Sequence, residues 1–305
     1  MPGSPFTFSP RGCTIYARAE SARKRKRVKD MPRVVIVALS VVALYAFLTA
    51  PSRRSRRVAL PPLYAHRGLH GDGASENSLE AFERACRAGV GIELDVRFTA
   101  DGEVVVFHDD ALARMCGAPQ RVSQTPLAEL RRLALPDGSR VPTLEEALAC
   151  VAGRVPLLVE IKTCRNICAL SAETLRRLRA YAGEVAVESF NPLALAYLRR
   201  HAPEIPRGQL VSRPDAYRGT AMRVGARAMS NLLANCLSRP DFIAYSHFIS
   251  EGFAMRVQRG VYRTPCAVWT ARERALLLRA RERGESVIFE IGQGEDPIRL
   301  DDLRP

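Results

Sequence analysis

Acidic residues are scarce in the first 57 residues of this 305-residue chain. That stretch contains 2 acidic and 13 basic residues, whereas residues 58–305 contain 30 acidic and 33 basic residues. Most of the formal charge of +14 therefore belongs to a short leader and not to the rest of the chain. A basic nucleic-acid-binding domain is disfavoured, because such a domain spreads its positive charge over the folded surface.

The chain also lacks a glycine-rich phosphate-binding loop. The first predicted strand, Leu63 to Ala65, is followed by His66-Arg67-Gly68, which matches neither GxGxxG nor GxxxxGK[ST]. This absence argues against a nucleotide-binding open sheet. Disorder of the body is excluded as well, because 47% of the residues are apolar.

The cysteines lack the spacing of a disulfide framework. Seven of the eight lie in the body, an odd number, and several fall within predicted helices. This usage is typical of small buried hydrophobic residues in a reducing compartment.

Long uncharged apolar runs are absent except at residues 34–50. Seventeen residues at helical rise reach about 25 Å, the short end of what a bilayer core requires. We therefore expect one transmembrane helix or uncleaved signal anchor at residues 34–50. It would follow a disordered basic leader, residues 1–33, and precede a basic, proline-containing linker, residues 51–62.

The charges around this run leave its orientation open. Counting loop charges places the N-terminus in the cytoplasm and the body outside. Translation from Met31 would keep only Arg33 before the run and would reverse that orientation. We expect a single-pass protein of the cell membrane, with the side of the body undecided.

The body alternates strands and helices. Nine strands are predicted: Leu63–Ala65, Gly91–Phe98, Glu103–Phe107, Val155–Ile161, Val185–Ser189, Ile205–Val211, Phe242–Ser246, Cys266–Thr270 and Val287–Phe289. The turn at residues 99–102 is too short for a parallel crossover, so the second and third strands must form a β-hairpin. The other eight, joined largely by helices, predict an α/β protein with a TIM (β/α)8 barrel over residues 63–305. A doubly wound open sheet is the alternative.

Acidic side chains share one face of two predicted strands. Glu93 and Asp95 lie opposite the apolar face of the second strand, and Glu160 shares a face with Lys162 at the end of the fourth. Carboxylates that point into a barrel are costly to bury unpaired, and a hard divalent cation offsets that cost. A Glu160–Lys162 ion pair is the alternative, although catalytic groups lie at the ends of barrel strands.

Two of the five histidines directly follow strands, His66 after the first and His108 after the hairpin. Histidine is suited to acid–base chemistry near neutral pH. A single histidine at a strand end is more often structural, but two of them near acidic pairs favour catalysis. His70, His201 and His247 are predicted to be surface or packing residues.

Six short motifs occur in order between Tyr64 and Lys162. They are His66-Arg67-Gly68, Glu76-Asn77-Ser78, Glu93-Leu94-Asp95-Val96, Thr99 with Asp101-Gly102, Val105 to His108-Asp109, and Glu160-Ile161-Lys162. Weaker agreement is found at Ser189-Phe190-Asn191 and Trp269-Thr270. The ordered set resembles the glycerophosphodiester phosphodiesterases. The resemblance implies a TIM barrel, a divalent metal ion (Ca²⁺ or Mg²⁺), and hydrolysis of a glycerophosphodiester to glycerol 3-phosphate and an alcohol.

The same resemblance implies roles for the matching residues. It makes Glu93, Asp95 and Glu160 metal ligands, His66 and His108 the acid–base pair, Arg67 and Lys162 phosphate-contacting cations, Glu76 and Asn77 further members of the site, and Trp269 part of the substrate pocket. The last strand departs from the family pattern. It continues Phe289-Glu290-Ile291-Gly292 where many members have Thr-Asp-x-Pro, which leaves its contribution to the pocket open.

These residues are chemically sufficient for phosphodiester hydrolysis. The metal ion, Arg67 and Lys162 would neutralise the phosphodiester, while one histidine takes a proton and the other donates one. The expected partners are a glycerophosphodiester or lysophospholipid substrate and the membrane through residues 34–50, with no nucleic acid. Two alternatives remain: a lysophospholipase-D-like activity on membrane lysolipids, and an inactive membrane-tethered binding barrel.

Overall fold

A computed structural model describes residues 33–217 and 225–303. The predicted disordered leader, residues 1–33, lies outside these ranges except for Arg33. The sequence also predicts a helical region that extends to about Cys236, and residues 218–224 of that region lie outside the described ranges. The chain divides into two compact units, Met1–Phe47 and Leu48–Pro305.

Helix α1 covers residues 33–49, and its apolar side chains are largely exposed. Val34 and Val42, for example, are 66% and 65% exposed. The predicted transmembrane helix at residues 34–50 is not supported. Within residues 33–217 and 225–303, no helix combines the length and the apolar character that a membrane span requires.

Eight parallel strands close into a barrel. A ninth strand forms an antiparallel hairpin with the second one. The strands are β1 (Leu63–Ala65), β2 (Gly91–Phe98), β3 (Val104–Val106), β4 (Leu157–Ile161), β5 (Val185–Ser189), β6 (Arg207–Val211), β7 (Phe242–Ser246), β8 (Cys266–Ala271) and β9 (Ser286–Phe289). Strand β1 pairs with both β9 and β2, which closes the barrel, and β3 pairs antiparallel with β2. The predicted TIM barrel is confirmed, and its closure excludes the open sheet.

Helices connect the strands on the outside of the barrel. They are α2 (Leu79–Ala88), α3 (Ala113–Cys116), α4 (Leu127–Leu130), α5 (Leu144–Val151), α6 (Ile167–Leu178), α7 (Pro192–His201), α8 (Ala226–Ser230), α9 (Asn235–Ser238), α10 (Phe253–Val257) and α11 (Arg274–Glu282). Helix α5 begins with the capping box expected of Thr143 and Glu146. The sequence predicts that α11 begins at Ala271, but that residue still pairs with Phe289 in the sheet.

The interior of the barrel is apolar beneath its C-terminal end. Tyr64, Leu158 and Phe242 are fully buried members of one cluster inside the strands. Gly208 makes room for Phe242, because a Cβ atom at that glycine would lie 2.1 Å from the phenylalanine ring. Charged groups that lie between these apolar side chains and the C-terminal end of the barrel are therefore poorly hydrated.

The segment before β1 is bound to the N-terminal edge of the barrel. The carbonyl of Thr49 accepts a hydrogen bond of 2.8 Å from the buried side chain of Gln258. Ser52 and Arg54 donate hydrogen bonds of 2.5–2.9 Å to Asp241, a fully buried carboxylate just before β7. Folded structure thus extends upstream of the first barrel strand.

Candidate active site

Strand register brings carboxylates together at the C-terminal end of the barrel. Asp95 on β2 is paired with Glu160 on β4, which is paired with Glu188 on β5. Carboxylate oxygens of Glu93, Glu160 and Glu188 lie within 4.8 Å of one another, and all three side chains are buried. The structure therefore joins two of the predicted metal ligands to Glu188, a residue that the sequence analysis did not select.

Asp95 is the carboxylate that the surrounding cations neutralise. Its Oδ1 lies 2.8 Å from Nζ of Lys162, and its Oδ2 accepts a 2.8 Å hydrogen bond from the side chain of Asn77. Arg67 Nε lies 3.5 Å from the same Oδ2. Although burial acts to raise it, Lys162, His108 and Arg67 hold the pKa of Asp95 well below its usual range.

The other three carboxylates are short of positive charge. Burial, together with repulsion between the acidic groups, raises the pKa values of Glu93, Glu160 and Glu188. Lys162 lies 2.9 Å from Glu160, but Oε2 of Glu188 has no hydrogen-bond partner in the described part of the chain. Three buried carboxylates of this kind form an oxygen donor set that fits a hard divalent cation.

His66 is held by Glu290, which directly follows β9. The two side chains meet at 2.5 Å between Nδ1 and Oε1. Burial acts to raise the pKa of Glu290, but hydrogen bonds from His66 and Arg272 outweigh it and lower that pKa to about 2. An ionised carboxylate only accepts hydrogen bonds, so Nδ1 must carry the proton and Nε2 must carry the lone pair when the ring is neutral. Burial lowers the pKa of His66 despite Glu290, which favours that neutral form.

His108 has the same arrangement with a different carboxylate. Its Nδ1 lies 2.6 Å from Oδ1 of Asp109, and Arg114 donates a 2.6 Å hydrogen bond to the other oxygen. Burial is the largest cause that lowers the pKa of His108, to about 4. Both histidines are therefore neutral at pH 7, and each has its Nδ1 bound to a carboxylate.

A sharp backbone turn places Arg67 beside the acidic groups. Its φ of 57° lies in the left-handed region, as does the φ of 80° at Gly68. A Cβ atom at Gly68 would lie 2.9 Å from the side chain of Ala81, so only glycine fits there. The turn directs the backbone N–H of Arg67 to Glu93 at 3.0 Å and its guanidinium to Glu76 at 2.8 Å.

A cavity of about 370 Å³ opens above these groups. Polar residues form one part of its wall: His66, Arg67, Glu93, His108, Glu160, Lys162 and Glu188. Phe190 and Trp269 form an aromatic part, with ring centroids 5.8 Å apart in an edge-to-face contact. His247, predicted to be a surface or packing residue, also lines this cavity.

Trp269 lies in the cavity wall, as predicted. Both predicted catalytic histidines and the two predicted phosphate-contacting cations, Arg67 and Lys162, line the same cavity. Three further predicted site residues lie behind the cavity wall. Arg67, which lines the cavity, contacts Glu76 and Asp95, and Asn77 binds Asp95.

The model of the glycerophosphoryl diester phosphodiesterase family matches residues 66–290. The chain belongs to this family. The match extends from the first catalytic candidate, His66, to Glu290, and therefore includes seven of the eight parallel strands, all but β1, and every predicted site residue.

Individual family members are similar to most of the barrel. A glycerophosphodiester phosphodiesterase of Caldanaerobacter subterraneus is 32% identical over 159 residues, which cover 48% of this chain and 65% of that protein. The chain thus spans just under two thirds of the length of this relative. An Oleispira antarctica phosphodiesterase, solved in complex with the product sn-glycerol-3-phosphate, has a TM-score of 0.61 and 25% identity, and the match covers 76% of this chain and 93% of that one. A Thermotoga maritima family member has a TM-score of 0.60 and 25% identity, with coverages of 76% and 95%.

Two site residues were missed by the sequence analysis, and each left a weak signal. Glu188 is the single charged residue of β5, an otherwise uncharged strand. Glu290 is an acidic residue directly after β9, in the segment that departs from the Thr-Asp-x-Pro pattern. The departure of the last strand thus retains an acidic group, and this group binds His66.

Proposed function

We propose that the protein hydrolyses glycerophosphodiesters to glycerol 3-phosphate and an alcohol. The observation that carries the proposal is one cavity in which two neutral histidines, His66 and His108, face a cluster of buried carboxylates. Family membership supports the reaction class, and the Oleispira antarctica relative was solved with this product.

We propose a divalent cation, Ca²⁺ or Mg²⁺, as the cofactor. Glu93, Glu160 and Glu188 would hold it, because their buried oxygens lie close together and lack sufficient counter-charge. Asp95 remains a predicted ligand, although Lys162 and Asn77 already bind its two oxygens. When bound, such a cation supplies Lewis-acid stabilisation of charge on phosphoryl oxygens.

The residues of the chain then bind the substrate and move the protons. Arg67 and Lys162 lie in the cavity wall, where their positive charges attract and orient a phosphodiester. His66 and His108 divide the proton transfers: one accepts the proton of the nucleophile at its Nε2, and the other first takes up a proton from solvent at its own Nε2 and then passes that proton to the leaving alcohol. Each such transfer contributes typically ~10²–10⁴-fold to the rate.

The decisive experiment replaces His108 by alanine in the full chain. Hydrolysis of glycerophosphocholine should fall by roughly 10²-fold or more, while calorimetric binding of Ca²⁺ or Mg²⁺ should change little. His201→Ala is the matched control, because His201 is exposed on α7. Full turnover in the His108 variant would overturn its assignment. If the unmodified protein shows no EDTA-sensitive hydrolysis, that result would favour an inactive binding barrel.

A lysophospholipid is the second candidate substrate. The observation that favours it is the aromatic part of the cavity wall, where Phe248 is 63% exposed beside Phe190 and Trp269. Such a surface fits the apolar part of a lysolipid as well as a small alcohol. Product analysis with glycerophosphocholine and lysophosphatidylcholine under the same conditions separates the two activities.

We also propose that the protein associates with the cell membrane through α1. The exposed apolar side chains of this helix would be stabilised by contact with lipid. Membrane fractionation of the full chain and of a Leu39→Glu/Val42→Glu variant tests this. Equal recovery of both in the soluble fraction would overturn it. A C-terminal topology reporter, in chains that start at Met1 and at Met31, tests the side of the body.

A further inference from the structure

A second large concave surface lies at the opposite end of the barrel. It encloses about 820 Å³ and is lined by the segments that precede three neighbouring strands, β1, β8 and β9. Residues Val58, Pro265 and Glu285 belong to these segments. The proposed active site lies at the C-terminal ends of the strands, so this basal groove, as we call it, is a separate feature.

Arginine dominates the basal groove. Five arginines line it: Arg56, Arg256, Arg259, Arg263 and Arg283. Two carboxylates, Glu251 and Glu285, accompany them, which leaves an excess of three positive charges in one concave surface. A concave, charged surface concentrates the electrostatic field and attracts ions of the opposite sign.

Both carboxylates of the groove are already paired. Glu285 accepts a 2.5 Å hydrogen bond from Nε of Arg259 and a 2.6 Å hydrogen bond from the hydroxyl of Tyr245. Glu251 lies 2.9 Å from Arg283. These contacts account for two of the five arginines. They leave no carboxylate of the groove free to neutralise the others.

The remaining three arginines have no acidic partner within the part of the chain that the structure describes. Arg56 donates through Nε to the carbonyl of Tyr262 at 3.0 Å, a contact that leaves its charge uncompensated. For Arg256 and Arg263, residues 33–217 and 225–303 provide neither an ion pair nor a side-chain hydrogen bond. In addition, Nη2 of Arg259 is buried and has no hydrogen-bond partner in the same ranges.

Several unneutralised guanidinium groups on a concave surface match one kind of ligand. Guanidinium donates pairs of parallel hydrogen bonds to the oxygens of phosphate and remains charged at any physiological pH. A single surface arginine is no site, but this groove combines five arginines on one concave surface with a buried nitrogen, Nη2 of Arg259, that has no hydrogen-bond partner among the described residues. We propose that the basal groove binds the phosphate group of an anionic phosphate ester, either soluble or the headgroup of an anionic phospholipid. This proposal is independent of the proposed hydrolytic function.

The test uses the full chain and an Arg256→Gln/Arg263→Gln variant. Both side chains are exposed and make no ion pair with any described residue, so their replacement should leave the fold and the rate of glycerophosphocholine hydrolysis unchanged. Arg132→Gln/Arg200→Gln is the matched control, because it removes the same charge from exposed arginines that have no acidic partner in the described ranges. Arg200, like Arg256, lies in the last turn of a helix.

The first measurement is a calorimetric titration with inorganic phosphate. We expect the groove variant to lose one phosphate site, or to bind there roughly 10-fold or more weakly, because charge-assisted hydrogen bonds are removed. A phosphate site at the active centre would remain in all three proteins. If the double variant is poorly folded, Arg256→Gln alone should show a smaller loss in the same direction.

The second measurement is co-sedimentation with vesicles of phosphatidylglycerol or of phosphatidylcholine. Weaker binding of the groove variant to the phosphatidylglycerol vesicles alone would identify a lipid headgroup as the ligand. Unchanged vesicle binding, with loss of the phosphate site, would identify a soluble ester. The proposal is overturned if the groove variant and the control variant behave alike in both measurements, or if binding to both kinds of vesicle falls equally.

Discussion

Glu290 binds Nδ1 of His66 at 2.5 Å and thereby determines which ring nitrogen carries the proton. The carboxylate comes from the end of β9 and the imidazole from the end of β1, neighbours at the point where the barrel closes. Arg272 donates a 2.7 Å hydrogen bond to the other oxygen of Glu290. A residue outside the predicted set therefore orients one of the two predicted catalytic histidines.

Replacing Glu290 by glutamine should lower kcat for glycerophosphocholine by about 10²-fold. The amide can donate to Nδ1 as well as accept from it, so the proton is no longer confined to that nitrogen. Glu282→Gln, at the exposed end of α11, is the control and should have wild-type kinetics. An unchanged kcat in the Glu290 variant would show that His66 needs no such partner.

The same carboxylate should make stability depend on pH. Its pKa is about 2 in the folded protein against an ordinary value of 4.5. Because the folded-state pKa is depressed, the stabilisation is complete above about pH 4.5 and is lost as the pH falls towards 2. Urea unfolding at pH 6, 4.5 and 3.5 should show the stability difference between wild type and Glu290→Gln shrinking with acidity. A difference that stays constant would contradict this linkage.

Glu188→Gln should separate stability from cation binding. The carboxylate is buried, and its Oε2 has no partner in the ranges that the structure describes, so its removal should stabilise the metal-free protein by on the order of 1 kcal/mol. The affinity for Ca²⁺ or Mg²⁺ should fall, because one proposed oxygen ligand becomes an uncharged amide. Thermal unfolding in EDTA and calorimetric titration measure the two effects. Glu184→Gln, exposed just before the same strand, should show neither effect.

Lys162→Met should destabilise the protein by about 3–5 kcal/mol, because it leaves Asp95 and Glu160 buried with reduced counter-charge. Adding Glu160→Gln to that variant removes one unpaired carboxylate and should restore part of the loss. Equilibrium unfolding of the two single variants and the double variant provides the coupling energy. If the double variant loses the sum of the two single losses, Lys162 does not stabilise the site through Glu160.

The barrel fold could be predicted from the sequence. Each strand is a short segment with apolar residues on at least one face, and the four-residue turn before β3 allows only a hairpin. The positions of His66 and His108 follow directly from the strand ends. Alternation within β2 also separates Glu93 and Asp95 from the apolar face, so the acidic interior of the site could be predicted.

Glu188 and Glu290 could not be predicted in the same way. A lone acidic residue in one strand has no local partner, and its role depends on the register with β4, which only the closed sheet determines. The pairing of Glu290 with His66 joins residues 224 positions apart. The sequence also predicts a helix over Pro126–Leu133, whereas the structure contains a single helical turn there, Leu127–Leu130, because local apolar spacing does not determine where a helix ends.

The bonds from Ser52 and Arg54 to Asp241 have a practical consequence for dissecting the protein. A fragment trimmed to the family match at residue 66, or even to Val58, would remove both side chains and expose a formerly satisfied acidic residue at the base of β7. It would also free the amide of Gln258 that binds the carbonyl of Thr49. We therefore expect the smallest stable fragment to begin near Leu48, well upstream of the candidate site residues.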